Sequence, residues 1–98
     1  RPAIVLQTAQ ASAGIPTVLL VPLTSQLDAV RFPGTVLVEP DSSNGLRRRS
    51  VALVFQVTAT DARFIGEAAG AVSNDTIRSI WNALDALTGR ALPGSAVD

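Results

Sequence analysis

Thr17-Val18-Leu19-Leu20-Val21-Pro22-Leu23 is the stretch on which the architecture turns. A short apolar run, β-branched in part and bounded by Pro16 and Thr24, reads as a buried strand. Pro22 has no N–H to give to a ladder, so the pairing is expected to break near its end, at an edge or a bulge. Towards the N-terminus, residues 9–16 are small and include Gly14 and Pro16, which predicts a connecting loop. Ahead of that loop, Ala3-Ile4-Val5-Leu6 is a second apolar run, closed by Pro2 on one side and Gln7-Thr8 on the other. It too predicts a buried strand.

Towards the C-terminus, residues 24–27 enter a loop that carries Arg31, Phe32, Pro33 and Gly34, followed by a third strand at 35–39. Residues 40–45 are dense in turn formers, and Asn44-Gly45 suits positive φ. Residues 50–57 are apolar on both faces and predict a central fourth strand. A polar corner at 58–61 leads into the Gly- and Ala-rich residues 64–72, read as a weak strand. One helix is clear. Ser73 caps it, Asp75 stands in the first turn where the macrodipole favours negative charge, and Gly89 ends it. Ile77, Ile80, Trp81, Leu84 and Leu87 recur at three and four residues, the spacing of one buried face, while Arg78, Asn82 and Asp85 fall opposite. Four or five short strands before a terminal helix imply an α+β, mainly β fold: a small barrel with the helix packed on or beside it. Residues 1–90 form one domain, and 91–98, with Pro93-Gly94, form a flexible tail.

Of 98 residues, 47% are hydrophobic but only four are aromatic, so aliphatic side chains must build the core. No run approaches the roughly 20 apolar residues of a membrane span, and no signal peptide is visible, so a cytoplasmic protein without membrane contact is expected. The chain has no cysteine, histidine or lysine. Disulfides and thiolate or imidazole metal ligands are excluded, and so is a histidine acid–base pair. All eight cations are arginines, whose flat forks match phosphate oxygens two at a time. The net charge is zero, so a polyanion must be held by a local arrangement of arginines, since the global field cannot attract it.

Four blocks carry a resemblance: Arg1-Pro2-Ala3-Ile4-Val5-Leu6, Val21-Pro22-Leu23-Thr24-Ser25, Ser50-Val51-Ala52-Leu53-Val54-Phe55-Gln56, and Asp61 ahead of the final helix. In this order and spacing the chain resembles the MazF/PemK family, endoribonuclease toxins of toxin–antitoxin pairs. The resemblance implies an SH3-like barrel (CcdB/PemK-like) with a C-terminal helix, a homodimer, single-stranded RNA as substrate and a cognate, MazE-like antitoxin. It also implies cutting without metal or cofactor, in which a 2′-hydroxyl attacks the neighbouring phosphate. Relatives usually carry a further strand and an acidic loop before the Arg-Pro, so that strand is expected to be missing from the sheet. Relatives often show Gln-x-Arg-Ser/Thr-x-Asp where this chain has Gln56-Val57-Thr58-Ala59-Thr60-Asp61, and an acid at the position of Phe55. Roles that relatives give to those side chains do not carry over.

Through the resemblance, Arg1 and Thr24 match the two catalytic positions. A guanidinium at a strand mouth neutralises charge growing on a pentacoordinate phosphorus, although it is no general base. The Thr24 hydroxyl would donate to a phosphate oxygen or to the leaving 5′-oxygen; its plainer role is a turn bond to its own backbone. Ser25 and Gln26 fall at the same rim, as substrate contacts. Arg31 and Phe32 pair a cation with an aromatic ring, which suits single-stranded RNA, unless Phe32 plugs the barrel mouth. Gln56 either satisfies buried backbone groups, the preferred reading, or faces the substrate. Arg47-Arg48-Arg49 is either a phosphate track or, the preferred reading, a solvated hairpin edge, because adjacent residues on an extended chain alternate faces and cannot all address one ligand. Trp81 is assigned to core or dimer packing. A gyrase-binding, CcdB-like toxin is the alternative function, disfavoured by a tail that lacks Trp and Ile, and an inactive relative is a third.

Overall fold

In the computed structural model, which describes residues 2–90, 94, 96 and 97, the chain runs through strand β1 (Ala3–Val5), helix α1 (Ala9–Gly14), strands β2 (Thr17–Thr24), β3 (Thr35–Val38), β4 (Ser50–Leu53) and β5 (Thr58–Asp61), and helix α2 (Asn74–Thr88). Arg1 and residues 91–93, 95 and 98 lie outside the described residues, and with them most of the expected tail. Three 3-10 turns, at Leu27–Arg31, Val54–Gln56 and Ala62–Phe64, link the strands and the helix. The sheet is antiparallel and five-stranded, in the order β1-β2-β4-β3 with β5 also on β2. The mainly β architecture with a C-terminal helix is the one expected. Among the described residues no pairing joins β3 to β1 or β5, so the ring of hydrogen bonds is open.

β2 is the hub. Its first half pairs with β5 on one side while β1 lies along the other, and its last residues, Leu23 and Thr24, pair with β4. The buried face changes phase on the way: Val18 and Leu20 are buried, then Val21 and Leu23. Continued from β5, the register would set Leu23 opposite Phe55; its partner is Ala52, three residues earlier. The turn Val54–Gln56, three residues long, is the length of chain looped out between the two registers. It acts as a large bulge.

Pro22 fits that bulge. Leu23 N donates to Pro2 O (3.1 Å) and Leu6 N to Leu19 O (3.0 Å), so odd positions of β2 face β1 and the nitrogen of Pro22 faces the looped-out chain. A residue without an N–H therefore stands where no ladder partner exists, as the sequence suggested.

Three expectations need correction. Residues 50–57 are not one strand; the looped turn divides them, and the polar corner 58–61 is itself β5. Residues 64–72 form no strand. Their backbone is tied down by Ala71 N donating to Ser43 O (2.8 Å), and Gly45 and Gly70 let the two segments touch backbone to backbone. Residues 9–16 are not simply loop, because Thr8 caps α1 by accepting from Ala11 N at 3.1 Å and the alanines carry the turn.

The core gathers Ile4, Val21, Leu23, Val38, Ala52, Val54 and Ile80. α2 supplies Ile80, which is fully buried, and lies against β3 and the 54–56 turn. Its ends are as read: Ser73 Oγ accepts from Thr76 N (3.1 Å), and Gly89 takes φ 59° while its N–H reaches Asp85 O (2.9 Å). Trp81, one position round the helix from Ile80, stays 44% exposed, so core packing does not account for it.

Candidate functional site

Where β2 ends and the looped turn emerges, a cleft of about 850 Å³ opens on the surface. Its walls come from the end of β2, the loop after it, the segment before β4 and the Val54–Gln56 turn. Thr24, Ser25, Gln26, Phe32 and Gln56 all line it, so the structure brings together five of the residues singled out in the sequence. Arg1 lies outside the described residues; Pro2, its neighbour in the chain, is on the cleft wall.

Thr24 is half-buried, and its Oγ1 accepts from Gln26 N at 3.2 Å. This is the local turn bond expected of a threonine, and it fixes the side chain at the rim. The bond uses a lone pair and leaves the hydroxyl proton without a described acceptor. Ser25 and Gln26 follow on exposed backbone.

Arg31 does not line the cleft. It pairs loosely with Asp28 (4.0 Å), and its guanidinium carbon lies 5.0 Å from the centre of the Phe32 ring. Phe32 is 46% exposed and so does not plug the barrel mouth. Its loop is pinned by Thr35 Oγ1, which donates to Val30 O (3.2 Å) and Phe32 O (2.9 Å).

Gln56 is exposed on the cleft, which overturns the preferred assignment to buried backbone groups. Gln7 does that work instead: its amide donates to Thr17 O (2.8 Å) and accepts from Leu19 N (3.1 Å), extending the β1 side of the ladder.

Three cleft residues had no site role in the preferred sequence reading: Arg47, Arg48 and Phe55. The chain bends at Arg47 and Arg48, so the alternation assumed for an extended strand does not hold there. Arg49 alone turns away, to Glu39 Oε1 at 2.9 Å. The segment is set by Asn44, a buried side chain whose Oδ1 accepts from Leu46 N (3.0 Å) and Asp41 N (3.3 Å) while Nδ2 donates to Glu39 O (2.8 Å). Phe55 sits on the looped turn, 42% exposed, with its ring centre 6.0 Å from that of Phe32 and tilted by 57°.

Charge is distributed unevenly over this neutral chain. Arg31, Arg49, Arg63, Arg78 and Arg90 each face a carboxylate within 4.0 Å. Arg47 and Arg48 have no such partner among the described residues, and no Asp or Glu lines the cleft. The cleft is therefore a local positive site on a molecule of zero net charge. Away from it, Asp61 is held below the usual carboxylate range by the Arg63 guanidinium (2.8 Å), with help from Arg63 N–H. Asp61 thus closes a surface corner.

A second hollow, of about 660 Å³, lies between β1 and residues 64–72 and is walled mostly by apolar and backbone groups. No cation lines it.

Comparison with known proteins agrees with the architecture. A search of curated proteins gives no match. A crystal structure of an Mtb toxin superposes with a TM-score of 0.73 at 22% identity, covering 94% of this chain and 92% of that one. The Mycobacterium tuberculosis toxin MazF-mt6 superposes with a TM-score of 0.75 at 19% identity, over 88% of this chain and 83% of its own. At such identities the likeness concerns the fold. The sequence itself matches, over residues 1–88, the family described as PemK-like, MazF-like toxin of type II toxin-antitoxin system. With nearly the whole chain inside that match, the protein belongs to the PemK-like, MazF-like toxins of type II toxin–antitoxin systems.

Proposed function

We propose that this toxin is an endoribonuclease that cuts single-stranded RNA, selectively for sequence and without a metal ion, and so inhibits translation and growth. The observation that carries the reading is the cleft: two arginines without carboxylate partners among the described residues, an aromatic pair and the Thr24 hydroxyl share one surface that no described acid lines. Phosphodiesters are drawn by the guanidiniums, and unpaired bases by the rings. The donor set favours a route without metal, because the sequence offers neither imidazole nor thiolate and the cleft wall has no carboxylate.

In this mechanism the 2′-oxygen attacks the adjacent phosphorus, a new O–P bond forms, and the bond to the 5′-oxygen breaks. The products are a 2′,3′-cyclic phosphate and a free 5′-hydroxyl, and the proton that the 5′-oxygen takes up balances the one that the attacking 2′-hydroxyl gives to solvent. Thr24 is assigned to hydrogen-bond a phosphate oxygen or the departing 5′-oxygen, with the proton its turn bond leaves over. Arg1, which precedes the cleft-lining Pro2, is assigned to the charge that builds on phosphorus. Ser25, Gln26 and Gln56 contact the substrate from the rim. The family implies an antitoxin partner; we assign it to a MazE-like protein and the working toxin to a cytoplasmic homodimer. No helix among the described residues is long and apolar enough to cross a membrane.

The test is cleavage of single-stranded RNA by purified protein in EDTA, with end analysis of the fragments. Cyclic phosphate ends are expected, and Thr24→Ala and Arg1→Ala should each lower the rate at least about a hundredfold with the circular dichroism spectrum unchanged. A requirement for divalent cation, or full activity in both variants, would overturn the assignment.

A further inference from the structure

We infer that Phe55 is the base-stacking residue of the cleft, braced by Phe32, while Arg47 and Arg48 on the wall before β4 hold the phosphates of the same strand. This rests on the RNA reading above and assigns the binding work within it.

Phe55 stands where it does because of the register offset between β4 and β5. The bulge extrudes three residues, of which Val54 turns wholly inward and Phe55 and Gln56 outward onto the cleft. Bulges commonly re-aim side chains beside functional sites. The ring is held in place from two directions. Phe55 N donates to Gly34 O at 3.1 Å, which ties the turn to the loop carrying Phe32, and Val57 N donates to Val54 O at 3.0 Å, which closes the turn. Phe32 meets it at 57°, a bracing contact rather than a stack.

The two rings are not equivalent. Phe32 already has the Arg31 guanidinium over its ring at 5.0 Å, whereas no described cation covers Phe55. Phe55 is therefore the ring left to receive a base. The occupant follows from the combination of chemistries: a π surface and two guanidiniums lacking carboxylates among the described residues, in a cleft that no described acid lines. Aromatic stacking requires an unpaired base, and the guanidiniums require a phosphate chain, so the cleft suits a single strand over a duplex.

Two fluorescein-labelled oligomers of 2′-O-methyl RNA test this, because neither can be cut: one of mixed sequence, the other abasic throughout. Phe55→Ala and Phe55→Leu should each weaken binding of the base-bearing strand about tenfold and leave the abasic strand unchanged. Phe55→Trp should restore it. The leucine variant keeps apolar bulk, so a defect shared with alanine reports the lost π face and not lost packing. Arg47→Ala and Arg48→Ala should weaken both strands alike and lower the salt slope of log K by about 0.7 each. If wild type binds neither strand, the RNA reading falls and takes this inference with it. If wild type binds both and the Phe55 variants bind the base-bearing strand as well as wild type does, this inference alone is overturned.

Discussion

At Gly34 the chain takes φ 74°, and a Cβ there would lie 2.6 Å from Leu87 Cδ1. The same residue's carbonyl holds Phe55 N. Gly34→Ala should therefore cost about 1–3 kcal/mol in denaturant unfolding, from positive φ and crowding together. Faster hydrogen exchange at the Phe55 amide should accompany the loss, and an unchanged midpoint would mean that Leu87 yields freely. Asp61 offers a pH handle. Because its folded pKa is lowered by Arg63, its contribution is present above the ordinary carboxylate value, about 3.9, and fades as pH falls through the lower folded value. An NMR titration of the Asp61 carboxyl should show a midpoint below that value, returning towards it in Arg63→Ala. At this scale Thr24 was reached through the family resemblance, Ser25 and Gln26 as its neighbours at the same rim, and Phe32 through its pairing with Arg31 on one loop. The preferred reading gave no site role to Arg47, Arg48 and Phe55. The first two lie on a bend read as extended chain, and Phe55 looks like the middle of a strand.

Among the elements, α2 was the most legible, since a capping serine, an acidic first turn, a 3.6-residue stripe and a closing glycine all agree. Its anchor is Ile80, and Ile80→Ala should lower stability by about 2–5 kcal/mol through a cavity facing β3 and the looped turn. Equilibrium urea unfolding checks this; a loss below about 1 kcal/mol would place the helix outside the core. β5 was harder to see, because Thr58-Ala59-Thr60-Asp61 has no large apolar side chain and is a strand only through its four pairings with β2. The division of residues 50–57 was invisible for the opposite reason: an apolar run carries no mark of where its partner's register shifts. Thr8, a capping residue before alanines, was the signal for α1, overshadowed by Gly14 and Pro16.

For the molecule as a whole, the fold class followed from the order of apolar runs, whereas the open ring and the positive cleft came from pairings between residues distant in sequence. Zero net charge says nothing of the cleft, because among the described residues five arginines are matched locally and two are not. One strand, β2, is shared by β1, β4 and β5. During synthesis it leaves the ribosome some forty residues ahead of β5, the last of its partners, and further still ahead of α2. The rim residues that follow it must wait, unsupported, for neighbours not yet translated. A polypeptide stalled before β5 would already carry every described cleft side chain, while residues 17–20 of β2 still lacked their four partners in that strand.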